Sequence, residues 1–185
     1  MTPLERALIV LAQRLSELNV SYMLVGGMAN AVWGEPRATL DIDVTVWVTD
    51  EDIDRLVPAL AREFTPRIDH PRRFIEETRV LPLRTSEGVN VDMIFGMLPF
   101  EQEAIERAVL ISIWDTEVRC CTPEDLILLK IISDRPQDRS DARGILLRRL
   151  ADFDLNYLEP RIRELAEALG RLDITDLWED WKREA

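Results

Sequence analysis

The 185-residue chain has little cysteine, lysine and histidine, and its positive charges are outnumbered by its negative charges. It contains 23 Lys and Arg residues against 35 Asp and Glu residues, which gives a formal net charge of −12 at pH 7. A protein this acidic is a poor general binder of nucleic acid, because affinity for the phosphate backbone depends on clustered positive charge. A nucleic-acid site would need a local basic patch or bound metal ions.

The two cysteines, Cys120 and Cys121, are adjacent in the sequence. Adjacent cysteines rarely pair with each other, so a disulfide-stabilised secreted scaffold is excluded and two reduced thiols are predicted. The amino-terminal segment MTPLERALIV has no basic n-region before its apolar stretch, so we expect no secretory signal. The longest uncharged stretch near the front, residues 19–34, is too short to span a membrane. These absences together predict a cytoplasmic protein.

Hydrophobic residues make up 46% of the chain and charged residues 31%, a balance that excludes disorder and favours a globular fold with a core. Apolar periodicity defines the elements. Strands are predicted over 21–25, 40–48, 79–85, 89–95, 109–113 and 117–121, and helices over 3–18, 28–33, 50–63 and 100–108. From Thr122 onward the pattern is helical. The sequence therefore predicts an α/β (α+β) core over residues 1–121 and a helical region over residues 122–185 that packs on it.

Two acids stand two residues apart in the alternating run LDIDVTVWV. A strand would place Asp41 and Asp43 on one face, roughly 6–7 Å apart along the chain. Carboxylates this close repel each other unless a cation lies between them. A third acid, Asp92 in VNVDMIF, can face the same way, and three convergent carboxylates suit a two-metal Mg²⁺ site for phosphoryl transfer. The alternative is that these acids only occupy the solvent-facing side of a strand.

A glycine pair, Gly26-Gly27, lies between a predicted strand and a predicted short helix. Such a turn can present bare backbone N–H groups and a helix N-terminus to a phosphate, although a Gly-Gly pair is also a common tight turn. Arg37, four residues before Asp41, is either a phosphate contact or an ordinary surface arginine. The order of these features along the chain is more specific than any one of them.

That ordered set resembles the nucleotidyltransferase superfamily typified by DNA polymerase beta. The resemblance is carried by VGGMANAVWGEPRATLDIDV, residues 25–44, and by the later acid Asp92. The chain departs from the commonest form at Gly27, where many members have a serine that contacts phosphate. The resemblance implies a polymerase-beta-like core with a mixed sheet, two Mg²⁺ ions held by the three acids, and a glycine turn that binds a nucleoside triphosphate.

A second stretch, TPEDLILLKIISDRPQDRSDARGIL over residues 122–146, resembles the AbiEii-type nucleotidyltransferase toxins of abortive-infection and toxin–antitoxin systems. Lys130 is the one charged residue in the apolar run LILLKII. The residues alone support two interpretations equally: a stem buried below a solvated amine, or a contact with a triphosphate. The resemblance favours the triphosphate contact. Asp138 is assigned to the nucleotide site as a residue that positions Lys130, an arginine or a substrate hydroxyl, and the alternative is an acid favoured by the dipole at a helix start. Asp141 is assigned only to a helix start, where the dipole favours acids.

The resemblance implies a Mg²⁺-dependent enzyme that moves a nucleoside monophosphate from a nucleoside triphosphate to a hydroxyl group. The implied acceptor is RNA, such as a tRNA 3′ end, in a toxin that has a cognate antitoxin. Small antibiotic nucleotidyltransferases share the core, and the net charge of −12 favours that alternative. A third alternative is an inactive nucleotidyltransferase-like domain that binds nucleotide or a protein partner.

One basic segment remains, and its residues are Arg67, His70, Arg72, Arg73 and Arg79. It is a candidate contact for a nucleic-acid backbone. The alternative is a solvated face whose arginines pair with the nearby glutamates Glu76 and Glu77, and this alternative is the preferred one.

Overall fold

The computed structural model describes residues 1–114 and 116–185. Within them, one seven-stranded sheet has the strand order β3-β4-β5-β2-β1-β7-β6. The strands are β1 Ser21–Val25, β2 Asp41–Trp47, β3 Phe64–Pro66, β4 Val80–Thr85, β5 Asn90–Phe95, β6 Val109–Ile113 and β7 Thr116–Cys120. The pairs β2–β5 and β1–β7 are parallel and the other neighbours are antiparallel. The mixed sheet and its helices confirm the predicted α/β fold class.

The helices account for most of the remaining described residues. They are α1 Pro3–Glu17, α2 Gly26–Trp33, α3 Asp50–Leu60, α4 Pro71–Thr78, α5 Pro99–Arg107, α6 Pro123–Ile131, α7 Pro136–Arg149, α8 Leu155–Leu169 and α9 Asp173–Glu184, with a 3₁₀ turn at Leu150–Asp152. The side chains of Thr49 and Thr122 cap α3 and α6, since each accepts a hydrogen bond from a backbone N–H three residues on.

The chain divides into two compact units. The first contains residues 1–28 and 38–121 and therefore holds the whole sheet. The second contains residues 29–37 and 122–185, so a short amino-terminal segment is grouped with the carboxy-terminal helices. The division of the sequence at residue 121 follows the same change from sheet to helices, but it does not account for residues 29–37.

The alternation of β2 separates an apolar face from a polar one. Ile42, Val44 and Val46 are fully buried. On the opposite face Thr45 is also buried, whereas Asp41 is exposed and Asp43 is partly exposed. The two carboxylates therefore lie in the amino-terminal half of β2, beside the buried Thr45.

Two short elements were not predicted from the sequence. The strand β3 has three residues, too few for a period-2 pattern to be recognised. The helix α4 has eight residues and only one fully buried side chain, that of Ile75, so its apolar periodicity is weak. In α4 the preferred alternative for the basic segment holds, because Arg72 pairs with Glu76 and Arg73 pairs with Glu77.

Cys120 and Cys121 are both buried and neither is in a disulfide, as predicted. Among the described residues, no helix combines the length and the apolar character that a membrane span requires.

Candidate active site

The register of β2 against β5 brings the predicted acids together on one face of the sheet. Asp43 lies directly opposite Asp92, and Asp41 lies directly opposite Asn90. Residues that are paired laterally in a sheet point to the same side, so the three carboxylates share one face. This arrangement follows from the parallel pairing of two strands that lie about fifty residues apart in sequence, as the Asp41–Asn90 separation of 49 shows.

Asp41 is held at the end of a short hydrogen-bonded chain. The amide nitrogen Nδ2 of Asn90 donates to Oδ1 of Asp41 at 2.9 Å. The guanidinium Nε of Arg84, on β4 directly opposite Asn90, donates to Oδ1 of that amide at 2.9 Å. The amide of Asn90 is thereby oriented with its donor toward the carboxylate, which fixes the position of Asp41.

Asp92 is paired with a cation of the chain itself. The guanidinium of Arg67 donates to Oδ1 of Asp92. Arg67 follows β3, and its backbone N–H donates at 2.8 Å to the carbonyl oxygen of Pro82, the β4 residue opposite Asp92. Sequence reasoning placed Arg67 in the basic segment and did not connect it to Asp92, because β3 itself had not been recognised.

The glycine turn lies against Asp43. Gly26 has φ +65°, a left-handed conformation, and a Cβ atom placed on it would lie 2.0 Å from Oδ2 of Asp43. Only glycine therefore allows the backbone to approach this carboxylate so closely. Gly27 follows in the first turn of α2, so the predicted turn and the predicted acid are neighbours in the fold.

The three carboxylates have the right chemistry for a hard divalent cation, which prefers oxygen ligands. Because Gly26 has no side chain, the carboxylate of Asp43 occupies the space that a Cβ atom would fill. In the described ranges 1–114 and 116–185, however, no three His, Cys, Asp or Glu side chains are arranged as a closed metal-binding group. The three carboxylates are ligands of the type that Mg²⁺ prefers, and one of them, that of Asp92, is bound by Arg67.

A second cluster of predicted residues lies in the second unit, around Lys130. Its side chain is 5% exposed, and Nζ donates to Oδ1 of Asp138 and to Oδ2 of Asp141, both at 2.9 Å. Two carboxylates therefore neutralise one ammonium in a buried position. Lys130 is buried and paired rather than extended to solvent.

Asp141 connects the most groups in this cluster. Its Oδ1 accepts from Nε2 of Gln137 at 2.8 Å, and its Oδ2 accepts from Arg37 at 3.3 Å as well as from Lys130. Sequence reasoning assigned Asp141 only to a helix start. The signal that could have found it is its spacing of three from Asp138, which places both acids on one face of α7. Two exposed arginines border the cluster: Arg37, with 38% of its side chain accessible, contacts Asp141, and Arg135, with 79% accessible, pairs with Asp138.

Both carboxylates have lowered pKa values. Burial acts to raise the pKa of Asp141, but hydrogen bonds from Lys130 and Gln137 and the charge of Lys130 outweigh it. Burial likewise opposes the shift at Asp138, where Lys130 and Ser133 lower the pKa. Both side chains are therefore ionised in the folded protein under neutral conditions.

Acidification is expected to destabilise the protein through these two carboxylates. Their folded pKa values lie below the ordinary value of about 3.9, so the stability they contribute is present above about pH 4. It is lost as the pH falls through the lowered values, because the unfolded chain then binds more protons. Urea denaturation at about pH 5, 4 and 3 would show this for the wild type. Lys130→Met removes the cause of the lowered pKa values, so the free energy of unfolding of this variant should fall less steeply with decreasing pH. If the wild type and the variant lose stability in parallel, the two carboxylates are not the cause.

The comparisons with solved structures agree on the fold. An antigenic nucleotidyltransferase-like protein from Paracoccidioides brasiliensis has 20% identity, covers 95% of this chain and 92% of its own, and gives a TM-score of 0.58. The antibiotic-resistance factor ANT(2'')-Ia has 16% identity over 90% and 95% of the two chains, with a TM-score of 0.55. The lincosamide antibiotic adenylyltransferase LnuA has 15% identity over 76% and 95%, with a TM-score of 0.52. At these identities the likeness establishes the fold only.

The sequence comparisons establish the family. No curated protein matches the chain significantly. A family model described as a nucleotidyltransferase of unknown function, DUF6036, matches residues 5–184, which is nearly the whole sequence. The chain therefore belongs to this nucleotidyltransferase family.

Proposed function

We propose that the chain transfers a nucleoside monophosphate from a nucleoside triphosphate to a hydroxyl group, with Asp41, Asp43 and Asp92 as its catalytic carboxylates. The observation that carries this proposal is the lateral pairing of Asp43 with Asp92, with Gly26 packed against Asp43. A strand that only exposed its acids to solvent would not need a glycine whose backbone closely approaches one of them. The contact with Gly26 therefore favours a functional site over a solvent-exposed strand face.

The three acids would hold divalent cations, which supply charge neutralisation for the transferred phosphoryl group and the departing pyrophosphate. Asp41 and Asp43 offer two carboxylates on one strand, and Asp92 would hold a cation on the side of the attacking hydroxyl. The backbone of Gly26 and Gly27, at the start of α2, would bind phosphate oxygens. Catalysis by these groups consists mainly of positioning and electrostatic stabilisation.

In the second unit we propose nucleotide-binding roles for Arg37, Lys130 and Asp138. The contacts there favour a division of labour. Lys130 holds Asp138 and Asp141 in place, and Asp141 in turn binds Arg37, whose guanidinium is exposed and free to reach a phosphate oxygen on one side. Lys130 thus acts through its neighbours, and Arg37 would be the cation that contacts the nucleotide.

For the acceptor we propose RNA, with a toxin role of the AbiEii type and a cognate antitoxin as partner. The support is the likeness of residues 122–146 to those toxins, together with two arginines, Arg67 and Arg84, that contact the acidic face. Positive side chains on the acidic face favour a hydroxyl acceptor that carries phosphates. A small hydroxyl compound, such as an antibiotic, is the second candidate, because the net charge of −12 disfavours long nucleic-acid contacts.

Transfer of label from each α-³²P nucleoside triphosphate, with Mg²⁺, into total RNA or a small-molecule extract tests both statements. We expect label in RNA with the wild type and none with Asp43→Asn or with a chelator present. Asp54→Asn is the matched control, since that carboxylate is 68% exposed and lies on α3, where it pairs with Arg72.

The three outcomes have different meanings. Label only in small molecules would replace RNA by the second candidate acceptor. Label that survives Asp43→Asn would refute the assignment of the catalytic carboxylates. Absence of label from both fractions would favour a binding domain without catalytic activity.

A further inference from the structure

Two rows of laterally paired residues cross the acidic face. In the first row Asp43, Asp92 and Pro82 are in register on β2, β5 and β4, and Arg67 lies beyond Pro82. In the second row Asp41, Asn90 and Arg84 are in register on the same three strands. Each row therefore has a carboxylate at one end and a guanidinium at the other.

The two rows differ in how the arginine meets the carboxylate. In the second row the amide of Asn90 stands between Arg84 and Asp41, so this guanidinium acts on the carboxylate through an amide. In the first row the intervening residue is Pro82, which has no polar side-chain group. Arg67 lies about two strand spacings of roughly 4.8 Å each from β5, and its side chain binds Asp92 directly.

The ion pair between Arg67 and Asp92 is exposed enough to open. The side chains of Arg67 and Asp92 are 32% and 38% exposed. A guanidinium at this exposure can leave its carboxylate for solvent without becoming a buried unpaired charge, and exposed pairs of this kind contribute little to stability. The backbone N–H of Arg67, bonded to Pro82, keeps the residue in place when its side chain moves.

We infer that Arg67 is a positioning residue that competes with the divalent cation for Asp92. The inference rests on the metal-dependent function proposed above. Arg67 occupies Oδ1 of Asp92, and a guanidinium and a divalent cation at one carboxylate repel each other, so each weakens the binding of the other. Arg67 holds Asp92 on the acidic face until the cation takes it over. Arg67 therefore sets the affinity of the Asp92 side of the site.

Calorimetric titration of the full chain with Mn²⁺ alone tests this inference without any turnover. Arg67→Gln should bind Mn²⁺ about fivefold to tenfold more tightly than the wild type, because both the competing contact and a nearby positive charge are removed. Arg67→Lys keeps the charge and should stay near the wild type. Arg73→Gln is the matched control, because that arginine is 76% exposed and pairs only with Glu77 among the described residues, so its affinity should not change.

Asp43→Asn separates failure of the inference from failure of the proposed function. If Asp43→Asn binds Mn²⁺ as the wild type does, the metal site itself is refuted. If Asp43→Asn weakens binding while Arg67→Gln leaves it unchanged or weaker, the site stands and the competition is overturned. Thermal unfolding of Arg67→Gln and Arg67→Lys, recorded in the same buffer, verifies that both variants are folded before the titrations are compared.

Discussion

Gly26→Ala is expected to destabilise the chain by about 2–5 kcal/mol, because two separate costs coincide at this position. Alanine in a left-handed conformation costs roughly 1–2 kcal/mol, and forcing an extra carbon into a filled space costs roughly 1–3 kcal/mol. The new Cβ would meet Oδ2, Cγ and Cβ of Asp43 at 2.0, 2.6 and 2.8 Å, so rotation of the carboxylate alone cannot relieve the contact. The variant should also lose about a hundredfold in nucleotidyl transfer, since displacement of a catalytic group by about 1 Å has that effect.

Gly170→Ala provides the matched control for this substitution. Gly170 has φ +64°, nearly the same as Gly26, but a Cβ there meets no atom within 4 Å. Only the backbone cost applies, so a loss of about 1–2 kcal/mol is expected and transfer should be unaffected. Urea denaturation of both variants measures the difference. Equal losses for the two substitutions would show that the contact with Asp43 is not tight.

Lys130→Met is expected to destabilise the chain by about 3–5 kcal/mol, the usual cost of removing one partner from a buried ion pair. The substitution keeps the apolar stem but leaves Asp138 and Asp141 without the ammonium that both of them bind at 2.9 Å. Neutralising these acids as well, in Lys130→Met/Asp138→Asn/Asp141→Asn, should restore much of the loss, because the cost lies in the unpaired charges.

The other lysine of the chain serves as the control for Lys130. Lys182 pairs with Glu159 at 2.6 Å but is 24% exposed, so Lys182→Met should cost no more than about 1 kcal/mol. The free energy of unfolding, measured by urea denaturation, distinguishes the two lysines. A stable Lys130→Met that no longer transfers nucleotide would overturn the structural role and favour direct contact of Lys130 with the triphosphate.

Local patterns predicted most of the sheet and its carboxylate face. The strict alternation around Asp41 and Asp43 indicated a strand with one acidic side, and the run around Asp92 indicated a second. Their parallel pairing is not contained in either run, because register between distant strands is set by tertiary packing. The resemblance to known nucleotidyltransferases supplied the reason to expect the three acids together.

The contacts that sequence patterns did not reveal involve long polar side chains. Arg67 reaches Asp92 from beyond a three-residue strand, and Asp141 gathers Lys130, Gln137 and Arg37 at a helix start. Flexible arginine and lysine side chains can reach many partners, and composition gives no way to choose among them. Their partners depend on the exact placement of backbones that the periodicity of the sequence does not determine.

The grouping of residues 29–37 with the carboxy-terminal helices also determines when the second unit can fold during translation. Within the second unit, the carbonyl of Trp33 accepts from Arg149 and Arg37 binds Asp141, across 116 and 104 residues of chain. A ribosome releases the amino-terminal segment long before its partners exist, so the second unit can only be completed late in translation. An excised fragment beginning at residue 122 would lack that segment, and its helices would have to fold without the contacts that close them.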